Sequence, residues 1–169
     1  MVASMSLCSP DTSFVQIPMD SPLGWLCLSY ADRRLVSLDI IGAAQPSSPE
    51  SRTPSPEWLS KPLLDYFADG KRPIALPLDL RGTDFQRRVW QALLQIPPGQ
   101  TRSYGQLAQQ LSSSAQAVGN ACRANPCPIV VPCHRVLARN GLGGYAGQTQ
   151  GEQLQIKRWL LRHEGVALD

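Results

Sequence analysis

Cys133 and His134 stand side by side in Pro132-Cys133-His134-Arg135-Val136, at the end of an apolar run, Pro128-Ile129-Val130-Val131, that follows Asn125-Pro126-Cys127. A thiol is a strong nucleophile only as thiolate, and its ordinary pKa of ~8.5 leaves little thiolate at neutral pH. An imidazole can take the proton. Adjacent side chains diverge on a helix or a strand, so His134 is expected to reach Cys133 through one water rather than directly. A third group must then hold the ring, as in other activated nucleophiles. The C-terminal half offers Asp84, Glu152, Glu164 and Asp169. Of these, Asp84 sits at a helix start, Glu152 in a loop and Asp169 at the chain end, which leaves Glu164. The competing reading is a buried cysteine packed as a small hydrophobe.

The rest of the composition narrows the setting. The chain has 169 residues and is 43% hydrophobic, enough to bury a core as one domain or two small ones. The first residues, Met1-Val2-Ala3-Ser4-Met5-Ser6, have neither a basic region nor a long apolar stretch, so neither secretion nor a membrane partner is expected and the setting reads as cytoplasmic. Five cysteines, Cys8, Cys27, Cys122, Cys127 and Cys133, form an odd count that favours reduced thiols over a disulfide framework. The spacing of Cys122, Cys127, Cys133 and His134 lacks a CxxC knuckle, so no metal site is expected. Residues 1–82 hold seven Lys/Arg against nine Asp/Glu, whereas residues 83–169 hold nine against four. A basic second half beside a mildly acidic first half points to a polyanion surface on one part only.

The fold class reads as α+β. Residues 14–18 and 25–30 form a hairpin around Asp20-Ser21-Pro22-Leu23-Gly24, and residues 34–40 add a third strand of period two. Residues 42–56 hold four prolines and four serines and read as a loop. A helix over residues 58–67 carries Leu59, Leu63, Leu64 and Phe67 towards this small antiparallel sheet, and residues 74–80 are an extended connector. The first domain is therefore residues 1–80 and the second residues 81–169.

The second domain is mainly helical. Thr83-Asp84-Phe85-Gln86 and Ser103-Tyr104-Gly105-Gln106 are capping boxes that open two helices, and after Ser112-Ser113-Ser114 another helix runs over residues 115–124. Helix, short turn and helix have helix-turn-helix spacing. The last of these helices presents Ala115, Ala117, Gly119, Ala121 and Ala124 with Gln116, Asn120 and Arg123. Such small residues allow close approach to another helix or to a DNA groove, and the basic charge favours DNA. Gly141-Leu142-Gly143-Gly144-Tyr145-Ala146-Gly147 reads as a mobile loop able to line a pocket, and a final helix leads to His163-Glu164-Gly165.

The PCHRV block with Asn125-Pro126 before it, the Gly144-Tyr145-Ala146-Gly147 loop after it and Trp159-Leu160-Leu161-Arg162-His163-Glu164-Gly165 resembles the O6-alkylguanine-DNA alkyltransferases, most of all the bacterial methylated-DNA–protein-cysteine methyltransferases. The likeness is dense from Arg81 onward and thinner before it, where it rests on Asp20-Ser21-Pro22-Leu23-Gly24 and Leu63-Leu64-Asp65-Tyr66-Phe67.

The resemblance implies a ribonuclease-H-like first domain and a helix-turn-helix in the second. It also implies direct repair of DNA. Cys133 takes an alkyl group from O6 of guanine, and in principle from O4 of thymine, and keeps it as a thioether. Such a protein acts once, needs no metal or organic cofactor, and works as a monomer on double-stranded DNA whose target base is flipped out. By similarity Tyr104, Asn125, Pro128, Val136, Tyr145 and Ala146 shape the substrate pocket, and Gln116, Ala117, Gly119, Asn120, Arg123 and Arg135 contact DNA. Glu164 matches the carboxylate that orients His134. Gln116 stands where the family usually places an arginine inserted into the duplex, which removes a charge attraction to the groove. The alternatives are a lesion-binding module without transfer, which would lack the reactive cysteine, and a Cys-His hydrolase.

Overall fold

Alternation of side chains builds the N-terminal sheet. The computed structural model describes residues 14–43, 54–145 and 150–168. Within them β1 (Val15–Ser21), β2 (Gly24–Ala31) and β3 (Arg34–Gly42) pair antiparallel in that order. The first two strands run further into the hairpin than expected, leaving only Pro22 and Leu23 between them. Successive residues point to opposite faces. One face therefore carries the cross-strand rows Ile17, Leu28, Leu38 and Met19, Leu26, Ile40, while the other carries Gln16, Ser29 and Ser37 in register.

The apolar rows join the core with α1 (Glu57–Ala68), which buries Leu59, Leu63 and Tyr66. Leu64, expected on that face, is 53% exposed. A spacing of four and then three residues follows the helical period more closely than the adjacent pair Leu63-Leu64 can, and it brings Tyr66 inward. The connector over residues 74–80 is extended and touches the sheet by one parallel bridge, Leu35 to Leu78, with Leu35 N–H donating to the Pro77 carbonyl at 2.8 Å.

Both expected capping boxes form. Thr83 and Gln86 open α2 (Asp84–Leu94), and Ser103 and Gln106 open α3 (Tyr104–Gln110). Each pair satisfies two backbone donors that a helix start leaves free. Ser114 caps α4 (Ala115–Arg123) by accepting from Ala117 N–H at 3.1 Å. The indole N–H of Trp90 on α2 donates to the Ala121 carbonyl at 2.9 Å and fixes α4 from behind. A two-residue parallel ladder, β4 (Arg102–Ser103) with β5 (Val136–Leu137), joins the start of α3 to the chain beyond the Cys-His pair. α5 (Glu152–His163) closes the molecule. Among the described residues no helix is long and apolar enough to cross a membrane.

Buried residues from both halves of the chain form one continuous cluster. Two close approaches lock them together. Leu38 N–H on β3 donates to the Pro126 carbonyl at 2.9 Å. Gly70, just past α1, lies so near the end of α5 that a Cβ there would fall 2.1 Å from the His163 carbonyl oxygen. Gly70→Ala should therefore cost about 1–3 kcal/mol by overpacking, read from the urea midpoint. A change below about 0.5 kcal/mol, the ordinary surface value, would mean that the two ends part freely.

Candidate active site

The turn that carries Cys133 is held by its own local bonds. Asn125 takes Cys127 N–H on Oδ1 at 3.0 Å and donates Nδ2 to the Val131 carbonyl at 2.8 Å. Its side chain thus ties both ends of residues 125–131 and leads directly out of α4. Ile129 sits at φ +75° inside this loop, a conformation that costs a β-branched residue about 1–3 kcal/mol and persists only where the surroundings impose it. Cys133, His134 and Arg135 follow as one turn of 3-10 helix, all buried.

That turn aims three side chains. The His134 ring meets Glu164, the residue that caps the C-terminus of α5, Nε2 to Oε1 at 2.7 Å. Arg135 donates Nε to Oε2 at 3.0 Å and Nη2 to Oε1 at 2.8 Å, and a third guanidinium N–H to the Ile96 carbonyl. Tyr66 from α1 adds its hydroxyl to Oε1 at 2.8 Å. Burial alone would raise the Glu164 carboxyl, but the bonds and charges of His134 and Arg135 outweigh it and carry its pKa down to about 2. A carboxylate only accepts, so Nε2 carries the hydrogen. Burial keeps His134 below the ordinary imidazole range against the pull of Glu164, so the ring is neutral and Nδ1 holds a lone pair. Nδ1 is buried and has no partner among the described residues.

Cys133 is 6% exposed. Burial pushes its thiol up, and the Asn125 amide, the Lys157 ammonium and the Tyr145 hydroxyl act the other way without overcoming it. At rest the sulfur therefore keeps its proton. Lys157 on α5 is fully buried, donating to the Val136 carbonyl at 2.6 Å and the Gly144 carbonyl at 3.0 Å. Burial draws its pKa down to about 8, opposed by the Cys133 and Cys122 sulfurs. The Tyr145 hydroxyl is buried beside the Cys133 thiol and, among the described residues, has no other group to bond.

Two cavities meet at the sulfur. The front one, about 330 Å³, lies between α4, Tyr104 at the start of α3 and the stretch from Ala138 to Tyr145, with Gln116, Gly119, Asn120 and Arg123 among its lining residues. The rear one, about 450 Å³, reaches Asn125 and Pro128 and is backed by β3. Cys122, Arg123, Cys133 and Tyr145 line both. The expected residues fall into place unevenly. Gln116, Gly119, Asn120 and Arg123 share one helical face of α4, whereas Ala117 is not at either cavity. Val136 is fully buried and contributes its carbonyl to Lys157 rather than a wall. Ala146 lies outside the described residues, as does most of the 42–56 segment. Arg135 is corrected outright: it is 6% exposed, turned inward because the buried Glu164 carboxylate needs a paired cation.

Two contributors escaped the sequence reading. Tyr66 belongs to the 59, 63, 66 helical row, and Lys157 stands seven residues before Glu164 on the inward face of α5. Both signals are positional. The cysteine expectation also needs correction, since Cys122, Cys127 and Cys133 are free but Cys27 is disulfide-bonded. An odd count requires one free thiol and sets no bar to a single bond. Among the described residues no group of three His, Cys, Asp or Glu is placed to hold a metal ion.

The lowered pKa of Glu164, about 2 against an ordinary 4.5, makes a stability prediction. A depressed carboxyl stabilises the fold above its unfolded pKa, and that contribution fades as pH falls towards the folded value. On the order of 3 kcal/mol should be lost between pH 4.5 and 2, measured by urea titrations across that window. In Glu164→Gln the loss in this window should shrink by about that amount, and an unchanged profile would contradict the assignment.

Comparison with known proteins agrees with this geometry. A family model described as 6-O-methylguanine DNA methyltransferase, DNA binding domain, matches residues 84–166. The methylated-DNA–protein-cysteine methyltransferase of Salmonella typhimurium is 55% identical over 118 residues, which span 68% of this chain and 66% of that protein. That of Mycolicibacterium paratuberculosis is 43% identical over 158 residues, 89% of this chain and 94% of that one. The crystal structure of Mycobacterium tuberculosis O6-methylguanine methyltransferase superposes with a TM-score of 0.74 at 41% identity, covering 89% of this chain and 92% of that one. The Mycobacterium tuberculosis protein in complex with DNA gives 0.73 at the same identity and coverage. Identity of this order over nearly the whole length of a relative settles the family: the chain belongs to the methylated-DNA–protein-cysteine methyltransferases.

Proposed function

We propose that the protein repairs DNA by transferring an alkyl group from O6 of guanine to Cys133, once per molecule. The observation that carries this reading is the sulfur at the meeting of two cavities, beside a neutral imidazole whose Nδ1 is free and whose Nε2 is held by Glu164. The Cys133 proton passes to Nδ1 through a bridging water. The thiolate then attacks the alkyl carbon in line, the S–C bond forms, the C–O bond breaks and its electron pair stays on the guanine oxygen. The Tyr145 hydroxyl, which has no other partner, donates to that oxygen. Lys157 gives the thiolate a nearby positive charge. A thioether is not readily reversed, so the reaction stops at one turnover.

The same reading gives the other elements their tasks. α3 and α4 act as a helix-turn-helix on double-stranded DNA, with Gln116, Gly119, Asn120 and Arg123 along the minor groove. That groove's degenerate pattern suits a protein that accepts any sequence. Tyr104 at the start of α3 crowds the target phosphate and meets the flipped base, whose extrusion costs a few kcal/mol. Residues 1–80, ribonuclease-H-like in arrangement, brace the site through Tyr66 and β3, and residues 81–169 bind DNA and perform the transfer. The working unit is a monomer. A lesion-binding module would have no use for the activated thiol.

Intact mass after incubation with a duplex carrying O6-methylguanine tests the reading. One methyl on Cys133, stoichiometric and absent in Cys133→Ala, is expected, and multiple turnovers with free product would overturn it. Glu164→Gln should slow transfer about 100-fold or more, within the usual range for general-base catalysis, while duplex binding persists. An unchanged rate would remove Glu164 from the relay. Gln116→Arg should tighten duplex binding and steepen the slope of log K against log salt by about 0.9, the value for one added phosphate contact. A flat response would mean that residue 116 does not face the groove.

A further inference from the structure

Three hydrogens converge on one oxygen of Glu164. Oε1 accepts from His134 Nε2 at 2.7 Å, from the Tyr66 hydroxyl at 2.8 Å and from Arg135 Nη2 at 2.8 Å, whereas Oε2 has Arg135 Nε at 3.0 Å and Gly99 N–H at 3.5 Å. A carboxylate oxygen presents about two lone pairs, so the imidazole N–H and the phenol O–H compete for the same charge. The phenol is fixed in that competition. Tyr66 is fully buried, its ring in edge contact with Phe67 and His163 at centroid distances of 5.5 and 5.3 Å, and its carbonyl accepts from His163 Nε2 at 2.7 Å. Burial and the Glu164 charge raise the phenol far above its ordinary range, so it stays a donor. Among the described residues it is the only side chain of residues 1–80 that hydrogen-bonds Cys133, His134 or Glu164. The other charged or titratable groups around the relay are Arg135 and Cys133 on the 3-10 turn, Lys157 on α5, Tyr145 and His163.

We infer that Tyr66 is a positioning residue that restrains the nucleophile: by occupying Oε1 it weakens the pull of Glu164 on the His134 ring and keeps Cys133 less reactive than the Cys-His-Glu set alone would make it. The inference rests on the proton relay of the proposed function and deepens it. In that relay the Cys133 proton ends on Nδ1, and the imidazolium so formed is stabilised by the negative charge that Oε1 still has to offer. A donor removed from Oε1 leaves more of that charge to the ring. The thiol and imidazole pair then shifts towards thiolate and imidazolium. For an acceptor thiol that is used once, a restraint on its resting reactivity limits its loss to chance electrophiles.

The rate at which iodoacetamide labels Cys133, followed by peptide mass from about pH 5 to pH 9 where imidazole and thiol titrate, tests the inference without DNA. Tyr66→Phe keeps the ring and removes only the hydroxyl. It should label about tenfold faster at neutral pH, the low end for one hydrogen bond to a charged group, and the pH at which the rate levels off should move up by about one unit. At lower pH the ring is protonated in both proteins and the two rates should converge. In the Glu164→Gln background the same substitution should change nothing, because no carboxylate is left to share. Damage to packing gives the opposite pattern, slower labelling at every pH with the profile in place. That pattern, an unchanged rate, or an equal gain in the Glu164→Gln background would overturn the restraint. If labelling responds as expected while neither protein takes a methyl group from a duplex carrying O6-methylguanine, the restraint stands and the transfer reading falls.

Discussion

Glu164 is the group on which the arrangement depends. A carboxylate whose side chain is wholly enclosed is costly to bury unless charge and hydrogen bonds compensate it. Here it receives His134, Tyr66 and two guanidinium N–H groups, with Gly99 N–H at a longer 3.5 Å. These donors come from α1, the 3-10 turn and the loop after α2, so one side chain at the end of α5 fastens three other parts of the chain. Arg135 supplies the opposite charge. That is why the arginine next to the Cys-His pair points inward, although a basic residue beside a DNA-facing site would be expected outside.

The protonation states follow from this anchor. With Glu164 ionised and Arg135 paired to it, the His134 ring is oriented by an acceptor yet stays neutral because burial outweighs that acceptor. Cys133 stays protonated for the same reason. Lys157 remains the one buried cation in this cluster with carbonyls rather than a carboxylate as partners. The site is therefore assembled for a thiolate that it does not yet contain. In the proposed reaction, proton transfer from Cys133 to His134 creates the anion that Lys157 stabilises and, on the ring, the cation that Glu164 stabilises. Each new charge forms beside a counter-charge already in place, which is the preorganisation that makes buried electrostatics effective.

Much of this was legible in the residues. The capping boxes at Thr83 and Ser103 formed as read because they are local, satisfied within four residues of chain. The Cys133, His134 and Glu164 set could be named because few carboxylates compete in the second half. What escaped was tertiary. Tyr66 and Lys157 look ordinary along the chain, and only packing reveals that a tyrosine hydroxyl and an ammonium are aimed at the same centre. The two-residue ladder of β4 with β5 has no sequence signal at all, since pairs this short are set by what surrounds them. Arg135 was misplaced because charge type predicts a partner's sign and leaves open whether that partner is a phosphate outside or a carboxylate within.

The small residues of α4 can now be weighed by geometry. Gln116, Gly119, Asn120 and Arg123 lie at spacings of three and four, so they form one stripe that is both the outer face of the helix and a wall of the front cavity. At its middle, Gly119, the stripe has no side chain. A Cβ at Gly119 would already stand 4.0 Å from the Tyr104 ring, and anything longer would fill the space above the sulfur. The same shortness lets a helix lie close to a duplex. Close packing within the protein and approach to DNA were alternatives when only the sequence was considered. In the structure the inner face, Val118, Ala121 and Cys122, takes the first task, and the proposed function gives the outer stripe the second. Gln116 stands on that stripe, where, under the proposed function, an uncharged amide would keep hydrogen bonding to bases and give up the attraction to phosphate.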